Sequence, residues 1–224
     1  MIKKRFLGSA FSYLKTEGGA WIMENANLSP LTEVITQLLA PDGCPWDRAQ
    51  DHVSMRKHMI EEAYEVCDAI DRDDALNLQE ELGDVLYQVV FHAALAEAEG
   101  KFVLQDVVDG VAEKMKRRHP HIFSTANGTV AGDWESIKRQ EKAAQHQPTA
   151  LPECLPVTLK LSKLTAKLTK AGVDPKKLVA LCDDETERAL LTLVLEAASY
   201  NREVEFAGQS LAKKLENMLE NVNK

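Results

Sequence analysis

The chain has 224 residues, 45% of them hydrophobic, and a formal net charge of −8. This length is enough for one large domain or two small ones, and the negative charge argues against a nucleic-acid-binding protein. Its four cysteines form no CxxC pair and stand at Cys44, Cys67, Cys154 and Cys182. We therefore interpret them as reduced thiols of a cytoplasmic protein rather than as a disulfide framework or a zinc site.

The N-terminal segment resembles the start of a signal peptide, because basic residues at positions 3–5 precede an apolar stretch, Phe6–Tyr13. That stretch is weak, and the chain nowhere has the run of about 18 apolar residues that a membrane span needs. The sequence therefore predicts neither export nor a membrane span. Ser29-Pro30 predicts a helix N-cap followed by a proline in the first turn. We expect residues 1–28 to be a non-native or disordered extension, with Met23 as a candidate initiator.

The remaining chain has the apolar periodicity of helices. Five segments follow this spacing: Pro30–Leu39, Met55–Ile70, Val85–Ala98, Leu104–Arg118 and Asp133–Lys138. The third is apolar on nearly all sides, which predicts a buried helix. The fourth is amphipathic, and its predicted inward face consists of Val107, Val108, Val111 and Met115. Because alternating strand patterns are absent from the sequence, the predicted class is all-α.

Two pairs of carboxylates lie on the second of these segments and directly before the third. Each pair is separated by three residues, as Glu62 with Glu65 and Glu81 with Asp84. Side chains three residues apart project from one face of a helix. A short turn, Asp71–Asp74, predicts that the two helices run antiparallel, which would bring the pairs together. The alternatives are ordinary solvated acidic residues and a site for a hard divalent cation bound by oxygen ligands, and we favour the cation site.

Four motifs occur in order along this part of the chain. They are Gly43-Cys44-Pro45-Trp46-Asp47, Glu61-Glu62-x-x-Glu65, Glu81-Leu82-Gly83-Asp84 and Arg117-Arg118-His119-Pro120-His121-Ile122-Phe123. Together they resemble the MazG family of nucleoside triphosphate pyrophosphohydrolases, over about Leu31–Lys142. The resemblance implies an all-α, oligomeric, Mg²⁺-dependent enzyme, with Mn²⁺ as an alternative metal. It also implies cleavage of an NTP or dNTP between the α- and β-phosphates, which releases NMP and pyrophosphate.

The resemblance assigns expected roles to individual residues. The implied metal ligands are Glu62, Glu65, Glu81 and Asp84, and Glu61 would support them or help to orient the attacking water. The implied substrate contacts are two pairs, each four residues apart: Lys114 with Arg118, and Trp134 with Lys138. The alternative for the basic pair is a solvated helix end, and for Trp134 a packing role. We expect Trp46 to pack beside Pro45, with a lid role as the alternative.

We expect a catalytic domain over residues 29–147 and a degenerate, non-catalytic second MazG-like helical half over residues 148–224. An internal offset of 104 residues aligns the apolar positions of the two halves and places Asp84 on Arg188, so the metal site would be lost in the second half. The expected assembly is a homodimer or a higher homo-oligomer. Two other functions stay open: a pyrophosphatase selective for deoxy or modified nucleotides, and a non-catalytic helical interaction module.

Overall fold

The computed structural model describes residues 26–123, 137, 138, 140, 141 and 151–222, and the regular structure within these ranges is entirely helical. The predicted all-α class is therefore confirmed. The chain divides into two compact units, Met1–Ala131 and Gly132–Lys224. The predicted domain boundary at residues 147 and 148 and the extension before residue 26 lie outside the described residues.

The first unit contains the helices that carry the predicted acidic residues. Their bounds are α1 Ser29–Leu39, α2 Pro45–Arg48, α3 His52–Asp71, α4 Ala75–Ala98, α5 Leu104–Arg118 and α6 Pro120–Phe123. The boundaries predicted for α5 match, and α4 begins ten residues before the predicted apolar run. The start of α1 differs by one residue, because Leu28 is the N-cap and the Asn27 side chain accepts a hydrogen bond from the Ser29 amide.

The turn between α1 and α2 depends on Gly43. A Cβ at this position would collide with the backbone carbonyls of Gln37 and Leu38. The same close approach lets the Cys44 amide donate a 2.9 Å hydrogen bond to the Leu38 carbonyl. This turn fixes the position of α2, which carries Trp46 and Asp47.

Helices α3 and α4 form a hairpin that positions the acidic residues. Asp51 caps α3 by accepting hydrogen bonds from the amides of Val53 and Ser54, and Asp74 caps α4. Between the helices, Asp73 has a φ of 59°, in the left-handed region that reverses the chain direction and that Asp tolerates better than most residues. The tight turn predicted at residues 71–74 is confirmed.

The core of the first unit lies towards the C-terminal half of α4. Ile35, Met55, Val90 and Phe91 are buried together, and Tyr87 and Leu95 are among the side chains that pack around them. Leu86, in the first half of α4, is 39% exposed, so the prediction that the run from Val85 is buried on all sides is wrong at this position. Helix α3 covers one side of this part of α4, where Glu81 is buried.

Helix α5 also departs from its predicted burial. Val107, Val108 and Val111 are 36–46% exposed, so the prediction that they face inward is wrong. Met115 is half-buried. The amphipathic pattern is real, but the described residues cover the valine face only in part.

Within residues 151–222 the second unit contains four helices, with bounds α7 Val157–Lys170, α8 Pro175–Val179, α9 Glu185–Ser199 and α10 Val204–Val222. Thr165, Leu178 and Val194 are its buried residues within the described ranges. The offset of 104 residues does not superimpose the helix boundaries, because Phe102 precedes α5 whereas Phe206 lies inside α10. The second MazG-like half stays a prediction.

None of the described helices is long and apolar enough to span a membrane.

Candidate active site

Three carboxylates meet where α3 and α4 face each other. Glu62 of α3 and Glu81 and Asp84 of α4 each place one carboxylate oxygen within 4.8 Å of the other two. We call these three residues the acidic cluster. Glu81 is only 8% exposed, Glu62 is half-buried and Asp84 is exposed. The cluster therefore has a buried floor and an open side.

The electrostatics of the acidic cluster disfavour its fully ionised form. Burial raises the pKa of Glu62, and the charges of Asp84 and Glu65 raise it further. Burial also raises the pKa of Glu81, with an added contribution from the charge and the close carboxyl group of Glu65. Crowded, partly desolvated carboxylates destabilise the ionised state, and a bound cation removes this cost. The donor set therefore fits a hard divalent cation with oxygen ligands.

The other two predicted acidic residues lie at the edge of the cluster. Glu65 is exposed and is close enough to Glu81 to share a hydrogen bond with it, although it is not among the three cluster residues. Glu61 is also exposed, and its Oε2 lies 3.0 Å from His58 Nδ1. All five predicted acidic residues are therefore brought to one region, with Glu61 turned towards His58.

The predicted basic pair shares one face of α5. Lys114 and Arg118 are both half-buried, whereas Lys116 and Arg117 between them are exposed. Lys116 forms an ion pair with Glu113, with an N···O distance of 2.7 Å. Lys114 and Arg118 are thus more buried than the other two basic residues of the helix. His119, which follows, has its Nδ1 2.8 Å from the Met115 carbonyl oxygen and acts as a helix-end contact.

The remaining predicted substrate pair is only partly described. Trp134 lies outside the described residues. Lys138 has a helical backbone and a half-buried position, and it belongs to the second unit. Its role stays a prediction.

Trp46 lies at the surface of the first unit. It is 54% exposed, and its packing beside Pro45 stays a prediction. Its ring meets the His58 ring edge-on, with centroids 6.0 Å apart. His58 in turn contacts Glu61. The exposed indole is therefore linked through His58 to Glu61, which precedes the cluster residue Glu62. Its neighbour Asp47 is turned inward instead.

The sequence did not point to the buried contact between Asp47 and Tyr87. The Tyr87 hydroxyl donates a 3.3 Å hydrogen bond to Asp47 Oδ1, and Asp47 is buried. Burial, followed by the charge of Asp47, raises the pKa of Tyr87 to about 12. The contact joins α2 to α4 and holds the segment that bears Trp46. The Gly43–Asp47 motif includes Asp47, but nothing in the sequence identifies Tyr87 as its partner.

A second unexpected contact joins the other end of the α3–α4 hairpin. Nδ1 of His52 lies 2.8 Å from Nδ1 of His92, and the two rings are nearly parallel, with an interplanar angle of 3°. Burial and the neighbouring His52 lower the pKa of His92. Each histidine is thus paired within the folded chain.

Comparison with known proteins relates this part of the chain to one family. The family described as the MazG nucleotide pyrophosphohydrolase domain matches residues 50–123. The nucleoside triphosphate pyrophosphohydrolase/pyrophosphatase MazG of Thermotoga maritima is 40% identical over 149 residues, covering 65% of this chain and 58% of that protein. The nucleoside triphosphate pyrophosphohydrolase of Escherichia coli K12 is 38% identical over 152 residues, covering 64% and 58%.

Two further similar proteins cover different shares of the chain. The uncharacterized protein YabN of Bacillus subtilis is 44% identical over 146 residues, covering 63% of this chain and 29% of that protein. A crystal structure of a mazG-related protein from Thermotoga maritima is 29% identical and covers 51% of this chain and 97% of that chain, with a TM-score of 0.42. The chain spans less than two thirds of the length of these three curated relatives.

The matched residues include α3, α4 and α5, and with them every member of the acidic cluster. The chain therefore contains a MazG-family domain, which spans residues 50–123.

Proposed function

We propose that this protein is a metal-dependent nucleoside triphosphate pyrophosphohydrolase that cleaves an NTP or dNTP between the α- and β-phosphates. The acidic cluster is the observation that carries the proposal, because three carboxylates converge within a domain of the MazG family. The names of the Thermotoga maritima and Escherichia coli relatives support the choice of substrate. The open side of the cluster gives a charged ligand access.

In this proposal Glu62, Glu65, Glu81 and Asp84 hold Mg²⁺, with Mn²⁺ as an alternative. A divalent cation held there would supply charge neutralisation for the phosphates and a bound water with a lowered pKa. Glu61 lies next to Glu62 in sequence and contacts His58, so it would orient groups at the rim of the site. The crowding and burial that raise the pKa of Glu62 and Glu81 disfavour the ionised cluster without a counter-charge, and a bound cation would supply that charge.

The other side chains would handle the substrate. Lys114 and Arg118 would bind phosphate oxygens from one face of α5, since cationic donors make strong, short hydrogen bonds to phosphate. Trp46 offers an exposed aromatic ring on the side of the cluster where His58 and Glu61 lie. Trp134 and Lys138 remain candidates for the base and for a phosphate. We also propose a homo-oligomer and a reducing, cytoplasmic environment, the latter because the four cysteines are free thiols.

The test is a pyrophosphate-release assay on the purified full chain with Mg²⁺ and a panel of canonical NTPs and dNTPs, with NMP identified as the second product. We expect Glu81→Gln to remove most turnover. Glu97→Gln provides a matched control, because Glu97 is an exposed glutamate of the same helix. Glu185→Ala in α9 should also keep turnover, since Glu185 is exposed and paired with Arg188.

Products other than NMP and pyrophosphate would contradict the proposed cleavage position. Turnover of one deoxy or modified nucleotide alone would favour the selective alternative. Binding of Mg²⁺ without turnover of any nucleotide would favour a non-catalytic helical module.

A further inference from the structure

Gln88 in α4 is a buried polar residue with an unmet hydrogen bond. It is 4% exposed, and its Oε1 atom has no hydrogen-bond partner among the described residues. Buried side-chain amides are nearly always hydrogen-bonded, because leaving a polar atom unpaired costs its full desolvation. The unpaired carbonyl oxygen therefore calls for a hydrogen-bond donor.

The position of Gln88 connects it to the acidic cluster. Glu81, Asp84 and Gln88 follow one another at spacings of three and four residues, so they share one face of α4. Four residues of helix correspond to about 6 Å along the axis, which places Gln88 one turn beyond Asp84. The stripe continues through His92, but that residue is already paired with His52. Along α4, Gln88 thus lies between the acidic cluster and His92, which is paired with His52.

The chemistry of the amide restricts its partner. The unpaired atom is a carbonyl oxygen, which accepts hydrogen bonds, and ionised phosphate oxygens are acceptors too. A phosphate therefore does not satisfy it, whereas a hydroxyl does. In a nucleotide whose phosphates lie at the acidic cluster, the group next to the α-phosphate is the sugar, and the sugar bears hydroxyls.

We propose that Gln88 binds a sugar hydroxyl of the substrate nucleotide and contributes to sugar recognition; this rests on the proposed function. The amide is a specificity-determining group rather than a metal ligand. Burying the unpaired Oε1 atom costs free energy in the free protein, and this cost is offset when the nucleotide supplies the missing hydrogen-bond donor. A site built around a buried hydrogen-bonding group discriminates strongly against analogues that lack the matching group.

The experiment compares Gln88→Met with the wild-type full chain. Methionine keeps the unbranched shape and the helix propensity of glutamine but removes the polar atoms. The readouts are kcat/KM for an NTP, its 2′-deoxy analogue and its 3′-deoxy analogue, together with the Tm of the nucleotide-free and metal-free protein. Gln79→Met is the matched control, since Gln79 is an exposed glutamine of the same helix.

We expect kcat/KM of Gln88→Met to fall about tenfold for nucleotides that carry the contacted hydroxyl. It should change little for the analogue without that hydroxyl, so the ratio between the two substrates shrinks towards one. The Tm of the free protein should stay equal or rise, because a buried carbonyl oxygen without a hydrogen-bond partner has been removed. Gln79→Met should leave the ratio and the Tm unchanged.

Several outcomes would overturn the inference. A lower Tm with the same proportional loss on all three nucleotides would show a structural amide, for example one that binds an internal water. An unchanged ratio at full activity would show that the sugar does not reach Gln88. If Gln88→Met is insoluble, Gln88→Leu takes its place with the same readouts. A wild-type chain that hydrolyses no nucleotide would instead overturn the proposed function, and this inference with it.

Discussion

Glu81 combines a nearly buried carboxyl with close carboxylate neighbours on two helices. Such a group is unfavourable in the metal-free protein and becomes favourable once a cation binds. We therefore expect Glu81→Gln to lose about a hundredfold or more in kcat with Mg²⁺. The same change should raise the Tm of the metal-free protein, because one anion leaves the cluster. Steady-state kinetics and thermal melts in a chelator measure the two effects.

The metal dependence of the Tm provides the control for this substitution. Mg²⁺ should raise the Tm of the wild type, since a ligand that binds only the folded state stabilises it. The increase should be much smaller for Glu81→Gln and intact for Glu97→Gln. Equal Mg²⁺-induced increases in all three proteins would locate the cation elsewhere.

Arg118 differs from Arg117 in burial, although the two residues are adjacent. The half-buried Arg118 shares its face of α5 with Lys114, whereas Arg117 points to solvent. We predict that Arg118→Ala lowers kcat/KM roughly tenfold or more for every nucleotide, because a charge-assisted contact to phosphate does not depend on the base. Arg117→Ala should have a much smaller effect. Equal losses in both variants, or a loss confined to one base, would contradict phosphate binding by Arg118.

At the scale of the helices, the contact between His52 and His92 joins the start of α3 to the second half of α4. One ring must accept the proton that the other donates, so double protonation would place two N–H groups against each other. The charged groups nearby are Glu99, whose Oε2 lies 3.6 Å from His52 Nε2, and Lys101, which is paired with Glu99. The contact is therefore stable only while at least one imidazole is neutral.

This contact gives the hairpin a pH dependence with a defined sign. The pKa of His92 is lowered from its ordinary value of 6.5, so the folded protein binds this proton less readily than the unfolded chain. The stabilisation is complete above pH 6.5 and is lost as the pH falls through the lowered pKa. We predict that the Tm falls less steeply below pH 6.5 in His92→Gln than in the wild type. His121→Gln, at an exposed site, should match the wild type, and parallel curves for all three proteins would refute the role of His92.

At the scale of the whole molecule, large apolar surfaces remain uncovered within each unit. Helix α10 exposes Phe206, Leu211, Leu215, Met218 and Leu219 at 41–63%. An amphipathic helix with an open apolar face favours association, because burial of that face is the main gain in free energy. We predict that the chain, of 24.9 kDa, has at least twice this mass in solution by light scattering.

Substitution on the apolar face of α10 tests which surface associates. Leu215→Glu should lower the measured mass, because a charge would have to be buried at the interface. Glu216→Gln, at the neighbouring exposed position, should leave the mass unchanged. A wild-type monomer at micromolar concentration would contradict the prediction, and an oligomer unaffected by Leu215→Glu would move the interface to another face, such as the valines of α5.

Local patterns in the sequence were sufficient for much of the candidate site. The three-residue spacing of Glu62 with Glu65 and of Glu81 with Asp84 requires only helical geometry, and the turn at residues 71–74 requires only a chain reversal. These are short-range properties, so the pairing of two adjacent helices follows from them. The motifs around these residues also identified the family.

Contacts between residues far apart in the chain were decided by the tertiary structure alone. Asp47 with Tyr87 and His52 with His92 are both separated by 40 positions, and no local pattern encodes such partners. The same holds for exposure: Trp46 and the valines of α5 have apolar side chains, but whether they are buried depends on what packs over them. Gln88 resembles an ordinary helical glutamine in the sequence, and its Oε1 atom is cut off from water only by the packing of the folded unit.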